Sequence, residues 1–169
     1  PLHLSTKEFA SDIARGKAII EDMVGECAHY RAPCFAIDMD RLKVVEATGF
    51  KFDSSVIDTK SFSHYGSVDL EGLPRKDDYY ILGGLKIFPV ETFDLLGRQI
   101  PYTGGGWIRL LGPSLVNALV KLNRNSLAFN FYGHPFEFYR GQLPKTNGGL
   151  LKDFRANIGR SRFTSTLEK

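Results

Sequence analysis

The sequence predicts an α/β domain whose reactive side chains lie at the ends of its strands. Three short apolar runs end at polar groups, namely Arg31, Asp53 and His134. Helical and strand patterns alternate along the chain, which favours a parallel sheet or barrel with helices outside. In an α/β barrel the strand ends form one mouth, where chemistry is normally carried out. The 169 residues, 43% of them hydrophobic, suffice for one domain over residues 1–169.

The first helix and strand have clear boundaries in the sequence. Residues 5–8, Ser-Thr-Lys-Glu, form a capping box in which Ser5 and Glu8 satisfy free N–H groups at the helix start. Apolar residues follow at helical spacing until Gly25, which predicts the end of this helix. A short strand then leads to Tyr30 and Arg31.

The next pair of elements repeats this arrangement. Asp38 or Asp40 can cap a second helix, which Gly49 ends. Residues 50–53 are predicted as the following strand, and residues 54–80 as a polar, turn-rich excursion that could form a wall for a substrate.

The second half predicts more strands and two helices. Strands are expected over residues 85–93, 107–111 and 127–132, the last of them leading to His134. Pro113 suits the first turn of a helix through Leu122. Residues 150–167 are predicted as one final amphipathic helix.

Composition excludes several classes of protein. The net charge of +3 arises from 22 basic and 19 acidic residues, a mixed surface that does not predict nucleic-acid binding. No apolar run has the length of a membrane span, and no signal-peptide pattern opens the chain. Cys27 and Cys34 are interpreted as free thiols of a reducing compartment, which predicts a cytoplasmic protein; a bridge between them and a periplasmic location stay open.

Each strand-end residue has a plain structural alternative beside its chemical one. Arg31 precedes Ala32-Pro33, so its backbone is held extended and its guanidinium can orient a carboxylate or form a structural ion pair. Asp53 could serve catalysis or cap the loop through Ser54 and Ser55. His134 is placed for general acid catalysis near neutral pH, although a lone histidine is usually structural.

Three segments in this order resemble the polysaccharide deacetylase superfamily, carbohydrate esterases that remove acetyl groups from sugars. They are Tyr30-Arg31-Ala32-Pro33-Cys34-Phe35, Phe52-Asp53-Ser54-Ser55 and Gly133-His134-Pro135-Phe136-Glu137. The resemblance implies a distorted (β/α) barrel of the polysaccharide deacetylase type. The family has an Asp-Asp motif on its first strand and a His-x-x-x-His motif before the helix that corresponds to the first helix here, and neither motif is present at those places in this sequence. We therefore expect residues 1–169 to be the central and C-terminal part of a larger domain, incomplete at the N-terminus and also at the C-terminus.

The resemblance also implies roles for individual residues. Arg31 would hold a catalytic-base aspartate that lies outside this chain, and the backbone N–H of Cys34 would stabilise the oxyanion. Asp53 would pair with His134, which would donate a proton to the leaving amine. Tyr132 would line the pocket for the acetyl methyl group. Ile57 stands where the family has a tryptophan.

Further substrate contacts are predicted from two loops. Trp107 and Arg109 follow three glycines and could stack on or hydrogen-bond to a sugar ring, although tight-turn geometry alone accounts for the glycines. His64 and Tyr65 have the same status: loop residues by default, substrate contacts by analogy. Glu137 is either a structural anchor or a sugar contact.

The predicted function is metal-dependent removal of acetyl groups from N-acetylated sugars of a bacterial polysaccharide or surface glycan. The His-Pro-aromatic-Glu segment at His134 resembles a bacterial branch linked to exopolysaccharide synthesis. The resemblance implies a divalent metal cofactor, with zinc as the expected ion. Its ligands are expected outside this chain, because His3, His29 and His64 lack metal-ligand spacing. The expected partner is an acetylated oligosaccharide or polysaccharide. A non-catalytic carbohydrate-binding relative and a metal-independent amidohydrolase are the alternatives.

Overall fold

The computed structural model describes residues 2–57, 66, 68–122, 130–139, 141, 143 and 149–168. The helices in this part of the chain are α1 (Thr6–Val24), α2 (Met39–Ala47), α3 (Gly105–Leu122), α4 (Pro135–Phe138), α5 (Leu150–Asn157) and α6 (Arg160–Leu167). The strands are β1 (His29–Tyr30), β2 (Phe52–Asp53), β3 (Arg75–Lys76), β4 (Tyr79–Leu82), β5 (Leu85–Ile87), β6 (Thr92–Leu95) and β7 (Arg98–Pro101).

Five strands form one mixed sheet in the order β1-β2-β5-β4-β3. The β1-β2 and β2-β5 pairs are parallel, whereas β5-β4 and β4-β3 are antiparallel. Strands β6 and β7 form a separate antiparallel hairpin. The predicted α/β class is confirmed, but the described strands form an open sheet and show no closed barrel.

The predicted start of α1 is confirmed in detail. The Glu8 carboxylate accepts from the Ser5 N–H at 2.8 Å, and the Ser5 hydroxyl accepts from the Glu8 N–H at 3.3 Å. Gly25 follows the helix with φ of 90°, a conformation that a side chain would disfavour. Of the two proposed caps for α2, Asp38 is the one observed, accepting from the Arg41 N–H at 2.8 Å.

The main core lies between the two N-terminal helices and one face of the large sheet. Helices contribute Phe9, Ile13, Leu42 and Val45, and the sheet contributes Leu85 and Ile87, all buried. A smaller cluster of Ile108, Val116 and Phe163 packs α3 against α6. The two N-terminal helices therefore pack on the large sheet, whereas α6 near the C-terminus packs on α3.

The strand predicted over residues 107–111 is wrong, because these residues form the first part of α3. Gly104 pairs with Tyr132 in an isolated parallel bridge, and the helix begins when the Ile108 N–H bonds to the Gly104 carbonyl at 2.8 Å. The apolar run buries one helical face. Gly112 adopts φ of 75° and interrupts the helix, so that Pro113 begins a second segment, as its fixed φ favours.

Two other predicted elements are divided. Residues 85–93 contain β5 and the start of β6, which belong to different sheets. Residues 150–167 form two helices, because Gly159 takes a left-handed conformation between them. Residues 127–129 of the strand predicted before His134 lie outside the described part of the chain.

Two further sequence predictions concern thiols and membranes. Cys27 and Cys34 are both free. Within the residues that the structure describes, no helix combines the length and apolar character that crossing a membrane requires.

Candidate active site

Two parallel strands bring Arg31 and Asp53 to the same edge of the sheet. Tyr30 pairs with Asp53 across β1 and β2, and Arg31 follows immediately after β1. The neighbouring strand β5 ends beside them, where the Phe88 N–H donates to the Asp53 carbonyl at 2.8 Å. The predicted position of these residues at strand ends of one polarity is thus observed.

Arg31 connects this edge to the segment that carries His134. Its Nε donates to Ser54 Oγ at 2.8 Å, its Nη1 donates to the Phe131 carbonyl at 3.3 Å, and its Nη2 donates to Asn130 Oδ1. All three acceptors are neutral, and no ion pair of Arg31 occurs within the described residues. The guanidinium therefore holds three segments of chain together, and the aspartate expected from the resemblance is not among its partners here.

Asn130 is a site residue that sequence reasoning missed. Its side chain is 8% exposed and donates through Nδ2 to the Phe88 carbonyl at 2.8 Å and the Ser54 carbonyl at 3.2 Å. An amide offers both donors and acceptors, so Asn130 can bind Arg31 and two strand-end carbonyls together. A polar residue between Phe129 and Phe131 was the available clue, because a buried polar group requires partners.

Asp53 is almost completely buried, with 1% exposure. Its oxygens accept from the Ser55 N–H at 2.9 Å and the Ser55 hydroxyl at 2.6 Å. Burial raises the pKa of Asp53 to about 6, while the Ser55 bonds and the charge of Arg31 act in the opposite direction. The loop-capping alternative is thus observed, and no hydrogen bond joins Asp53 to His134 among the residues described.

Ser55 extends this arrangement to the loop after β1. Its hydroxyl accepts from the Ala32 N–H at 2.8 Å while donating to Asp53. Tyr30, beside Asp53, has its pKa raised to about 12 by burial and by the Asp53 charge. A buried carboxylate thus fixes the backbone that leads from Arg31 to Cys34.

The backbone at Cys34 has an unusual conformation. Pro33–Phe35 form a short 3-10 turn in which Cys34 and Phe35 both have positive φ, 55° and 54°. Non-glycine residues rarely adopt this region, and it is concentrated at functional sites. Cys34 is exposed, whereas Phe35 is buried beneath the Arg31 guanidinium, which lies 5.6 Å from its ring centroid.

A row of rings leads from this turn to His134. The Phe35 ring lies 4.7 Å from Tyr132, and the Tyr132 ring lies 6.5 Å from His134, centroid to centroid. His134 is exposed and stacks on Phe136 at 5.7 Å with an interplanar angle of 11°. The structure therefore brings Arg31, Cys34, Tyr132 and His134 to one region, with His134 open to solvent.

A pocket of about 320 Å³ opens beside the strand ends. It is lined by His29, Tyr30, Phe52, Asp53, Ser54, Phe88 and Asn130. The His29 and Phe52 rings stack at 4.6 Å within it. Neither His134 nor Trp107 contributes to this lining, so Asp53 and His134 border different surfaces.

The other predicted substrate contacts have mixed outcomes. Arg109, which was predicted to contact a sugar ring, is buried, and its Nε pairs with the Glu137 carboxylate at 2.8 Å. Glu137 is likewise buried, as the anchor interpretation requires. Trp107 is partly buried in the first turn of α3. His64 and Tyr65 lie outside the described residues.

The described part of the chain contains no group of three or more histidine, cysteine or acidic side chains arranged to hold a metal ion.

Comparison with known proteins relates most of this chain to one family. The family model named Domain of unknown function (DUF3473) matches residues 54–169, more than half of the 169 residues. The chain belongs to this family. The match includes Tyr132, His134 and the Arg109–Glu137 pair, whereas Arg31 and Asp53 precede it. Searches of curated proteins and of solved structures gave no match.

Proposed function

We propose that this DUF3473 chain is the later part of a polysaccharide deacetylase-type domain, a distorted (β/α) barrel that hydrolyses acetyl groups from N-acetylated sugars of a bacterial polysaccharide. The observation that carries the proposal is the bonding of Arg31 to Ser54, Asn130 and Phe131. Through these bonds Arg31 joins the segment after Asp53 to the segment before His134, which supports the proposal that the three motifs belong to one site.

In this proposal His134 protonates the leaving amine. An acetamide nitrogen is a poor leaving group until it is protonated, and histidine is suited to this transfer near neutral pH. The exposure of His134 and its ring contacts with Tyr132 and Phe136 favour the role, because a sugar can reach the imidazole while its orientation is restrained. Tyr132 would contact the acetyl methyl group.

Cys34 would contribute through its backbone. The positive φ of Cys34 and Phe35 turns this segment of main chain sharply beside Arg31, and a backbone N–H there can stabilise a developing oxyanion whatever the side chain. Arg31 and Asp53 would act by positioning the segments around the site. Arg31 binds the segment before His134, and Asp53 binds, through Ser55, the loop that contains Cys34.

The divalent metal of the proposal, zinc in the first instance, would be held by ligands outside the described residues. The free thiols of Cys27 and Cys34 support a cytoplasmic location.

A carbohydrate-binding protein without hydrolytic activity is the second candidate. The pocket beside Asp53 favours it, because its lining is mainly apolar and presents the rings of His29, Phe52 and Phe88, on which the apolar face of a sugar can pack.

The test measures acetate release by the complete protein from an N-acetylglucosamine oligomer and from an O-acetylated xylan, each with and without a metal chelator. We expect acetate to be released from the N-acetylated oligomer. The chelator should abolish this release, and added zinc should restore it. Calorimetric binding of the oligomer without acetate release would contradict it and support the carbohydrate-binding alternative. Release that is unaffected by the chelator would favour the metal-independent amidohydrolase.

A further inference from the structure

We infer that the buried pair of Arg109 and Glu137 is a positioning device for His134, and that it makes the geometry of His134 depend on the junction between α5 and α6. The inference deepens the proposed function, because it assigns to two further residues the control of the proposed proton donor. Neither residue lies where it could contact a substrate, since both side chains are at most 5% exposed.

Glu137 holds the backbone at His134 directly. One carboxylate oxygen, Oε2, accepts from the His134 N–H at 2.7 Å, and the other, Oε1, accepts from Arg109 Nε at 2.8 Å. Both oxygens are therefore engaged, one by the main chain of His134 and the other by Arg109. A charge-assisted bond to the N–H of His134 fixes the start of α4 more firmly than a neutral acceptor would.

Gly105 provides the space for this carboxylate. A Cβ at residue 105 would overlap the carboxylate of Glu137, so only glycine permits the present packing. The N–H of the same residue donates to the Tyr132 carbonyl at 2.8 Å. Gly105 of the glycine-rich segment thus contacts both Tyr132 and Glu137, which lie on either side of His134 in the sequence. This glycine therefore does more than permit a tight turn.

Arg109 extends the connection to the C-terminal helices. Its Nη1 lies within hydrogen-bonding distance of three carbonyls at the end of α5, those of Arg155 at 3.2 Å, Ala156 at 3.1 Å and Ile158 at 2.9 Å. The C-terminus of a helix carries partial negative charge and attracts a cation. Gly159, with φ of 64°, lies so close to the Arg109 backbone that a Cβ there would overlap the Arg109 carbonyl.

Helix α6 supports the same loop from its apolar side. Phe163 is completely buried, with ring centroids 6.3 Å from Phe131 and 5.0 Å from Phe138. In the sequence His134 therefore lies between two aromatic residues that pack against Phe163 of α6. The loop is fixed by a charged contact on one side and an apolar contact on the other.

The chemistry of the pair is better explained by positioning than by stability. Removing two charges from water is costly, and a well-packed apolar pair of similar volume is often as stable or more stable. A carboxylate bound by a guanidinium has a fixed orientation, because each of its oxygens is bonded to a defined donor. The direction here is toward the main chain of the proposed proton donor.

The experiment compares Glu137→Gln with a matched control, Glu46→Gln, in the complete protein. Glu46 also accepts from a backbone N–H, that of Gly84 at 3.1 Å, but it lies outside the proposed site. Three kinds of measurement are made: exchange of the His134 amide by NMR, the chemical shifts of the His134 imidazole, and the kinetics of acetate release, which give kcat and KM. Arg109→Lys keeps the positive charge but not the forked geometry, and carries the same test should Glu137→Gln not fold.

Glu137→Gln is expected to accelerate exchange of the His134 amide, to move the imidazole signals, and to lower kcat about 10–100-fold with KM within about twofold. Glu46→Gln should leave all three at wild-type values. Wild-type amide exchange and imidazole signals in Glu137→Gln would overturn the inference, whatever the activity. If the wild-type protein releases no acetate, the proposed function fails, yet the amide and imidazole measurements still decide whether Glu137 positions His134.

Discussion

Replacing Asp53 with asparagine should remove a specific pH dependence from the stability of the fold. The pKa of Asp53 is raised from 3.8 to about 6, chiefly because the carboxyl group is buried. The folded state therefore binds this proton more tightly than the unfolded state does. The favourable contribution of the protonated form is complete below about pH 3.8 and is lost as the pH rises through about 6. At about 1.36 kcal/mol per pKa unit, the loss amounts to about 3 kcal/mol.

The assay is urea unfolding of the wild type and Asp53→Asn across about pH 3 to 8. Other titrating groups are common to both proteins, so the difference in free energy of unfolding isolates Asp53. We expect the wild type to lose about 3 kcal/mol relative to Asp53→Asn over this range. Asp69→Asn is the control, because Asp69 makes the same carboxylate bond to the N–H two residues on, at 2.9 Å to Glu71, on an exposed surface. A flat difference for Asp53→Asn would refute the reasoning that burial dominates the Asp53 pKa.

Two further predictions concern neighbouring contacts. Gly105→Ala should lower the free energy of unfolding by about 1–3 kcal/mol, because the new Cβ would overlap Glu137. Gly106→Ala should be neutral or slightly stabilising, because its Cβ would meet nothing nearer than Arg109 Nη2 at 3.9 Å. Chemical denaturation of both variants tests this prediction, and equal effects would contradict it. Arg31→Lys should lower the free energy of unfolding by about 1–3 kcal/mol, because an ammonium cannot reach all three acceptors of the guanidinium. Arg15→Lys is its control, because the Arg15 side chain on α1 is exposed. If Arg31→Lys proves as stable as this control, the hydrogen bonds of Arg31 contribute little to stability.

The elements that local chemistry specifies could be predicted from the sequence. The capping box at Ser5 and Glu8 and the cap at Asp38 are set by residues within a few positions of each other, and both occur as expected. The parallel pairing of β1 and β2 likewise follows from the alternation of helix and strand. The positions of Arg31 and Asp53 at one sheet edge are a direct consequence.

The elements that depend on distant contacts could not. Residues 107–111 form a short apolar run that suits a strand or a helix, and the choice depends on Tyr132 pairing with Gly104 and on α6 covering Ile108 and Val116. The burial of Arg109 similarly depends on Glu137, 28 residues away. Asn130 became part of the site only when three separate segments met around it, which no local pattern reveals.

The central claim, that His134 is a general acid at the site gathered by Arg31, is tested most directly by His134→Ala in the complete protein. An acid that acts mainly in the transition state affects kcat, so we predict a decrease of about 10²–10⁴-fold in acetate release from an N-acetylglucosamine oligomer, with KM within about twofold. His3→Ala, the loss of an exposed histidine from the segment before α1, should retain wild-type kinetics. If His134→Ala keeps a near-normal kcat on an oligomer that the wild type deacetylates, His134 is a structural histidine and the account is wrong.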